Sequence, residues 1–382
     1  MTRFAVLVSS PPRVGLAEAI AAGEAPRRDY FDMRDMLGAE LMMPPERPGR
    51  VFSTLRKVGG NALAMAWTAW SQRKSYDVIV TDQEYAGLLL ALLFKVTRTR
   101  RGHVMISHYL TPAKKQVFFR LLKVQSHIDR TICYSTAQEK LARTRLGLRA
   151  DQVALVLHPA DSKFWRPAAS DDEKRADEEM LRGVGLEIPA DAPVVCSAGL
   201  EFRDYPTLMG AASKLPEGTH VMIAASSPWS KRKNTAEDAE LPENVHLVSL
   251  KPLQLRALYR RAWVAAIPLY DVDFQAGSLV AYEAMGCGKP VVITRTRGQN
   301  DIVEEGKTGF YVPPHDAEAM GGALNRLLGD PALIEEMGAN SREVVERGLN
   351  LYKYLDEMCA VAREVAAKYE RKQPALRGVP TP

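Results

Sequence analysis

The stretch from Tyr270 to Asp316, YDVDFQAGSLVAYEAMGCGKPVVITRTRGQNDIVEEGKTGFYVPPHD, sets a glycine turn, a helix start and a carboxylate close together. Gly277 and Ser278 precede a helix predicted over about 279–285, with Ser278 as its N-cap. The first N–H groups of such a helix lack intrahelical partners and sit at the positive end of the dipole. That suits a phosphate. Glu283 follows Leu279 by four residues, on the same helix face. A carboxylate one turn inside can accept two hydroxyl hydrogen bonds from a ribose. Gly286 and Gly288 let the helix stop close to the next strand, and a polar loop, 295–301, follows that strand.

The elements around these residues alternate between short apolar runs and longer helical patterns. Strands are predicted at 4–9, 77–81, 103–107, 131–135 and 153–157, with helices at 50–72, 85–95, 112–123 and 137–146 between them. Most strand positions are apolar, as in strands covered on both faces of a parallel sheet. A connector with an exposed helix spans 163–191. A second series then places strands at 194–198, 220–225, 245–249, 263–268, 290–294 and 310–312. The pattern is α/β, with two doubly wound domains and a cleft between them. The expected domains are 1–168 and 190–347, with a helix over 348–372 crossing back to the first.

The segment from Glu283 to Asp316 resembles the donor-binding part of retaining glycosyltransferases of the GT-B fold, family 4 (group 1). The family's pattern is E-x7-E, then A-M-A-x-G-x-P-V, a Gly-containing loop, E-x-G-x-x-G and V-P-P-x-D, and the arrangement from Glu283 to Asp316 matches its order and spacing. The resemblance is strong over 194–347 and weak before 150. It implies transfer of a sugar from a nucleotide-diphosphate sugar to a glycan, lipid-linked or small-molecule acceptor. The N-terminal domain would bind the acceptor and the C-terminal domain the donor. It also implies that Glu283 binds the nucleotide ribose and that Gln275, where the family has the first Glu, lies near the donor sugar. Gln lacks the negative charge of Glu and would stabilise a cationic sugar-like transition state less.

A second match, SAGLEFRDYPTL over 197–208, resembles the family's first strand-to-helix loop of the donor domain. Gly199 belongs to that loop. Arg203 stands in the usual Lys place, where it would meet the diphosphate, and an Arg–phosphate pair can be bidentate. Leu200 stands where a further Arg is frequent, and Lys231, in SSPWSKRKN, could supply the missing charge. The helix start at Gly277, Ser278 and Leu279 would take the same diphosphate. His108, after the strand at 103–107, resembles the family's strand-end His beside the donor sugar, so His108 and Gln275 are the catalytic candidates. HPAD at 158–161, with Phe164, resembles the segment before the domain crossover. The resembled fold needs neither metal nor cofactor, so Asp271-Val-Asp273 reads as a loop.

The chain has 382 residues, 46% of them apolar and 25% charged, which excludes disorder and a small disulfide scaffold. Cys133, Cys196, Cys287 and Cys359 show no CxxC spacing and read as free thiols. The longest apolar run, at 86–94, falls well short of the roughly 20 residues of a bilayer span. A cytoplasmic protein is expected. From Lys95 to Arg149 there are thirteen Lys/Arg against two Asp/Glu, although the net charge is only +5. Within this stretch, PAKKQVFFRLLK at 112–123 is amphipathic. Its apolar Val117, Phe118 and Leu121 are expected to pack on the chain's own sheet, with lysines outside. The competing reading is peripheral contact of 95–149 with an anionic membrane. No RNP-type strand or aromatic interleaving points to nucleic acid. Two other functions stay open: a nucleotide-sugar-binding or scaffold partner that has lost turnover, and a GT-B sugar-nucleotide epimerase. A Rossmann dehydrogenase is disfavoured because 4–15 lacks GxGxxG.

Overall fold

The computed structural model describes residues 2–10, 12–225, 241–299 and 301–370. The chain forms two compact units. One takes residues 1–14, 28–157 and the chain from 353 onward, and the other takes 15–27 and 158–352.

The first unit holds a six-stranded parallel sheet of β1 (Phe4–Leu7), β2 (Glu40–Met42), β3 (Val78–Thr81), β4 (Gly102–Ser107), β5 (Arg130–Cys133) and β6 (Val153–Leu155), in the order β2-β1-β3-β4-β5-β6. β1, β3 and β4 are buried along their whole length. Helix Arg50–Ser71 covers the sheet through Phe52, Ala64, Met65 and Ala69, which pack with Ala5, Leu7 and Ile79. The continuous helix expected over 50–72 is broken. Gly59 and Gly60 leave helical geometry, Gly60 at φ 73°, a conformation that side-chain-bearing residues avoid. The rings of Trp67 and Trp70 meet at 4.8 Å, tilted by 39°; Trp67 is 36% exposed and Trp70 packs against the core.

The amphipathic segment at 112–123 also departs from expectation. Helix Ala113–Arg120 turns Lys115 and Phe119 inward and packs Phe118 against the core as expected, while Val117 is 41% and Leu121 75% exposed. The inversion has a physical cause. Lys115 donates to the Glu84 carboxylate and to the Tyr109 carbonyl (2.7 Å), and this buried pair fixes the helix face.

The second unit repeats the architecture with β7 (Val194–Ala198), β8 (His220–Ala224), β9 (Val245–Leu247), β10 (Val264–Ile267), β11 (Val291–Thr294) and β12 (Gly309–Val312), all parallel, in the order β12-β11-β10-β7-β8-β9. This is the doubly wound order in which the chain reverses direction between the first and fourth strands, here β7 and β10. Its core joins Val195, Val221, Ile223, Val264, Ala266 and Val292 to Tyr205, Leu208, Met320 and Leu324.

The boundary after 168 moves to 157/158, because 158–168 is built into the second unit. Ala160 pairs with Asn350, Arg342 donates to the carbonyls of Ser162 and Trp165, and Trp165 packs edge-on against Tyr259. Helix Leu351–Glu370 belongs to the first unit from Lys353 onward. Tyr369 donates to the Arg101 carbonyl and to Asp129, and Lys368 pairs with Asp129.

Candidate functional site

In the second unit the two loops flanking the β7/β10 reversal are stitched together. Arg203 forms an antiparallel bridge with Leu269, Asp204 N–H donates to the Pro268 carbonyl (3.1 Å), and Tyr270 N–H donates to the Phe202 carbonyl (3.1 Å). Phe202 and Phe274 meet edge to face at 5.0 Å. The loop opens on Gly199 at φ 92°, and a Cβ there would stand 2.8 Å from Arg203 Nη2. Only glycine fits this position.

Arg203 is buried. Its Nε donates to the Ala198 carbonyl (2.8 Å) and Nη1 to the Glu201 carbonyl (2.9 Å). Burial presses its pKa below the usual value, and Tyr205, Tyr259 and the Glu201 and Glu283 carboxylates act against that. The guanidinium thus braces the Gly199 loop from inside, within the electrostatic reach of Glu283. Asp204 caps helix Tyr205–Ala212 and meets His315 Nδ1 at 2.7 Å.

Helix Ser278–Gly286 follows the second loop. Gly277, not Ser278, is its N-cap, at φ 77°, and Ser278 is the first helical residue. No side chain caps the helix, so its first-turn N–H groups lack a capping oxygen. Leu279 in that turn is 41% exposed. Glu283 lies one turn in, buried, with Oε2 accepting a hydrogen bond from Tyr259 Oη at 3.2 Å. Tyr259 is fully buried on helix Pro252–Arg261, and burial, then Glu283, drives its pKa far up.

Gln275 is in the same loop. Its amide oxygen and nitrogen are shielded from solvent and make no well-formed hydrogen bond, and the Tyr282 hydroxyl beside them is in the same state. Thr296 Oγ1 and Gln299 Oε1, in the loop after β11, are shielded and unpartnered too. That loop rests on the first through Gly298 N–H to the Val272 carbonyl (2.9 Å) and Arg297 to Asp271 (2.8 Å). Among the described residues, no group of three or more His, Cys, Asp or Glu could hold a metal ion. Lys231 lies outside the described residues.

In the first unit, His108 follows β4. A carbonyl only accepts, so His108 Nε2, 3.0 Å from the Asp82 carbonyl, carries a proton. The side chain is exposed. Its backbone is fixed on both sides. His108 N–H donates to Glu84 (3.1 Å), and Gln138 Nε2 donates to the His108 carbonyl (2.8 Å). Asp82 accepts from Ser9 N–H (2.7 Å) and Ser9 Oγ (2.6 Å), joining the carboxyl ends of β1 and β3 where this sheet reverses. Burial raises the Asp82 pKa, opposed by Ser9 and His108. Tyr134 lies edge-on to His108 at 5.0 Å. Its hydroxyl meets that of Tyr354 (2.9 Å), which donates to Asp29 (3.1 Å).

The structure therefore gathers Gly199, Arg203, Gln275, Gly277, Ser278, Leu279 and Glu283 at one sheet end of the second unit and sets His108 at the matching end of the first. Sequence reasoning missed Tyr259, Asp82, Ser9 and the Glu84–Lys115 pair. The available signal was polar residues at strand ends, Ser9 after β1 and Asp82 after β3.

Two doubly wound parallel α/β units are the architecture of the GT-B fold. Sucrose-phosphate synthase from Thermosynechococcus elongatus superposes with TM-score 0.70 at 21% identity, covering 96% of this chain and all of that one. HepE of Anabaena, in complex with UDP and glucose, superposes with TM-score 0.70 at 15% identity, covering 95% of this chain and all of that one. Residues 194–344 match the family described as glycosyl transferases group 1. A D-inositol 3-phosphate glycosyltransferase of Xylanimonas cellulosilytica is 29% identical over 63% of this chain and 57% of its own length. An alpha-maltose-1-phosphate synthase of Mycolicibacterium smegmatis is 26% identical over 74% of this chain and 76% of its own. The chain thus spans little more than half of the first relative.

Proposed function

We propose that the protein is a retaining glycosyltransferase that takes its sugar from a nucleotide-diphosphate sugar, with no metal in the reaction. The observation that carries this reading is a buried carboxylate, Glu283, one turn inside an uncapped helix entered through Gly277. The exposed N–H groups would hold the diphosphate and the carboxylate would bind the ribose hydroxyls. Negative charge grows on the diphosphate as the glycosidic bond breaks. Fixed dipoles aimed at that charge lower the barrier, and Arg203 adds positive charge from beneath the Gly199 loop. Gln275, with its unpartnered amide, would hydrogen-bond the donor sugar. The resemblance makes His108 the first unit's candidate for orienting the sugar. Structures of the same fold hold UDP and UDP with glucose, which supports a nucleotide-sugar donor for this chain too.

The test is thermal stability with UDP, GDP, ADP, CMP and dTDP, each with and without Mg²⁺. A ligand at 100 times its dissociation constant adds about 2.7 kcal/mol. A shift with one diphosphate, indifferent to Mg²⁺, is expected, followed by transfer with retained anomeric configuration by NMR. No shift with any of them in folded protein overturns the reading. The shielded, uncharged Gln275 also favours a second reading, a nucleotide-sugar-binding partner with little turnover. It requires nucleotide binding with no transfer to any acceptor.

A further inference from the structure

We propose that the first unit docks on an anionic lipid bilayer through the end of helix Ala113–Arg120 and the turn that follows it. Leu121 is 75%, Val117 41% and Leu122 37% exposed, and Val96 is 73% exposed. Val117 and Leu121 lie one helical turn apart, and Leu122 follows. Lys95, next to Val96, donates to the carbonyls of Leu122 (2.6 Å) and Lys123 (3.3 Å). The aliphatic side chains point outward because the inner face of the helix is taken by Phe119 and by Lys115 on Glu84. Water is a poor solvent for that row, and nothing in the first unit's own core needs it.

Cations surround the row. Lys95, Lys123 and Arg149 line a cavity of about 370 Å³ together with Gln125, Ser126 and Gln152. Arg100 donates to the Ser126 carbonyl at 3.1 Å, and Lys114 and Arg120 are exposed residues of the helix itself. Asp151 neutralises Arg149 in part (2.9 Å). The His127 pKa is lowered first by burial and then by Arg100 and Lys95, a sign of positive potential at the turn. Exposed leucines within a basic surface match the acyl boundary and phosphate layer of an anionic membrane. A nucleic acid would use the cations and leave the leucines in water.

The placement leaves the His108 end of the sheet unobstructed. The turn at 122–127 and Arg149 precede β5 and β6, whereas His108 follows the parallel β4, so the two lie at opposite sheet ends.

Sedimentation of the full chain with vesicles tests this. The vesicles are phosphatidylcholine alone or phosphatidylcholine with phosphatidylglycerol, at about 0.1 M and about 0.5 M NaCl. Binding to the anionic vesicles, weakened by salt, is expected. Each surface cation is worth about fivefold in partitioning, so Lys114→Gln with Arg120→Gln should weaken binding roughly thirtyfold. Leu121→Ser should abolish the binding that persists at high salt. All three positions are solvated, so parental melting temperatures are expected, and each single variant gives an independent reading. Equal binding to both vesicle types, or binding to neither, overturns the proposal. So does Leu121-dependent dimerisation, or retention of single-stranded nucleic acid lost in the same variants, without vesicle binding.

Discussion

A carboxylate that is to bind two hydroxyls must be held still, and Tyr259 does this for Glu283. It donates to Oε2 from a fully buried position and packs against Trp165 at 5.6 Å. Tyr259→Phe keeps the ring and removes one neutral-donor hydrogen bond. The affinity for the cognate nucleoside diphosphate should fall about three- to tenfold. Glu283→Gln removes the charge proposed to meet the ribose, so the fall should be larger, about ten- to a hundredfold. Calorimetric titration of both variants checks the order, and a Phe variant weaker than the Gln variant would place Glu283 outside the ribose contact. Gln275→Glu restores a charge beside Tyr282 and is expected to raise kcat for transfer about tenfold, with a smaller change in the donor KM. An unchanged rate assigns Gln275 to packing. Glu283 and Gln275 were legible because their motif lies within one short stretch of chain. Tyr259 was not, because its partner is reached only by folding one helix onto another. The Ser9–Asp82 contact was hidden for the same reason.

At the scale of elements, glycine geometry decides whether the site can form. A Cβ on Gly277 would meet Ile267 Cγ2 at 2.9 Å, with φ at 77°. Gly277→Ala should therefore cost about 1–3 kcal/mol and shift the helix start away from β10. A lowered melting temperature and a smaller nucleotide-induced shift are the expected readings. A variant with parental stability would mean that the turn relaxes freely. Long buried strands and the helix after Gly277 could be read from sequence, since apolar runs bounded by polar loops leave few alternatives. The strand Glu40–Met42 could not, being three residues with a charged first position. Helix Asp29–Leu37 also escaped, because its sequence DYFDMRDML carries little apolar periodicity. The exposed Val117 and Leu121 at helix Ala113–Arg120 were misread because Lys115 turns inward to buried Glu84, a tertiary pairing that no hydrophobic pattern reports.

For the whole molecule, the two-unit plan was visible as two series of alternating strands and helices. Its exact seams were not, since 158–168 looks like a linker until Trp165 is seen against Tyr259. Stability of the whole chain in acid should reflect His103 at the heart of the first sheet. Its Nδ1 faces the His127 carbonyl (3.2 Å) and so carries the proton, while Nε2 faces Thr81 Oγ1 at 3.3 Å. The neutral ring is satisfied. Burial pushes its pKa down to about 4 from 6.5, against a smaller opposing pull from the His127 carbonyl and Asp129. The unfolded chain therefore binds a proton between pH 6.5 and about 4 that the folded chain refuses. Stability from this group is complete above pH 6.5 and declines as the pH falls through that window, by about 3 kcal/mol at its lower end. Urea midpoints of the parent and of His103→Gln, taken from about pH 7.5 to about pH 4.5, isolate the effect from the carboxylates, which titrate in both. The variant should lose less stability on acidification than the parent. Parallel curves would mean that His103 takes up its proton without unfolding the sheet around it.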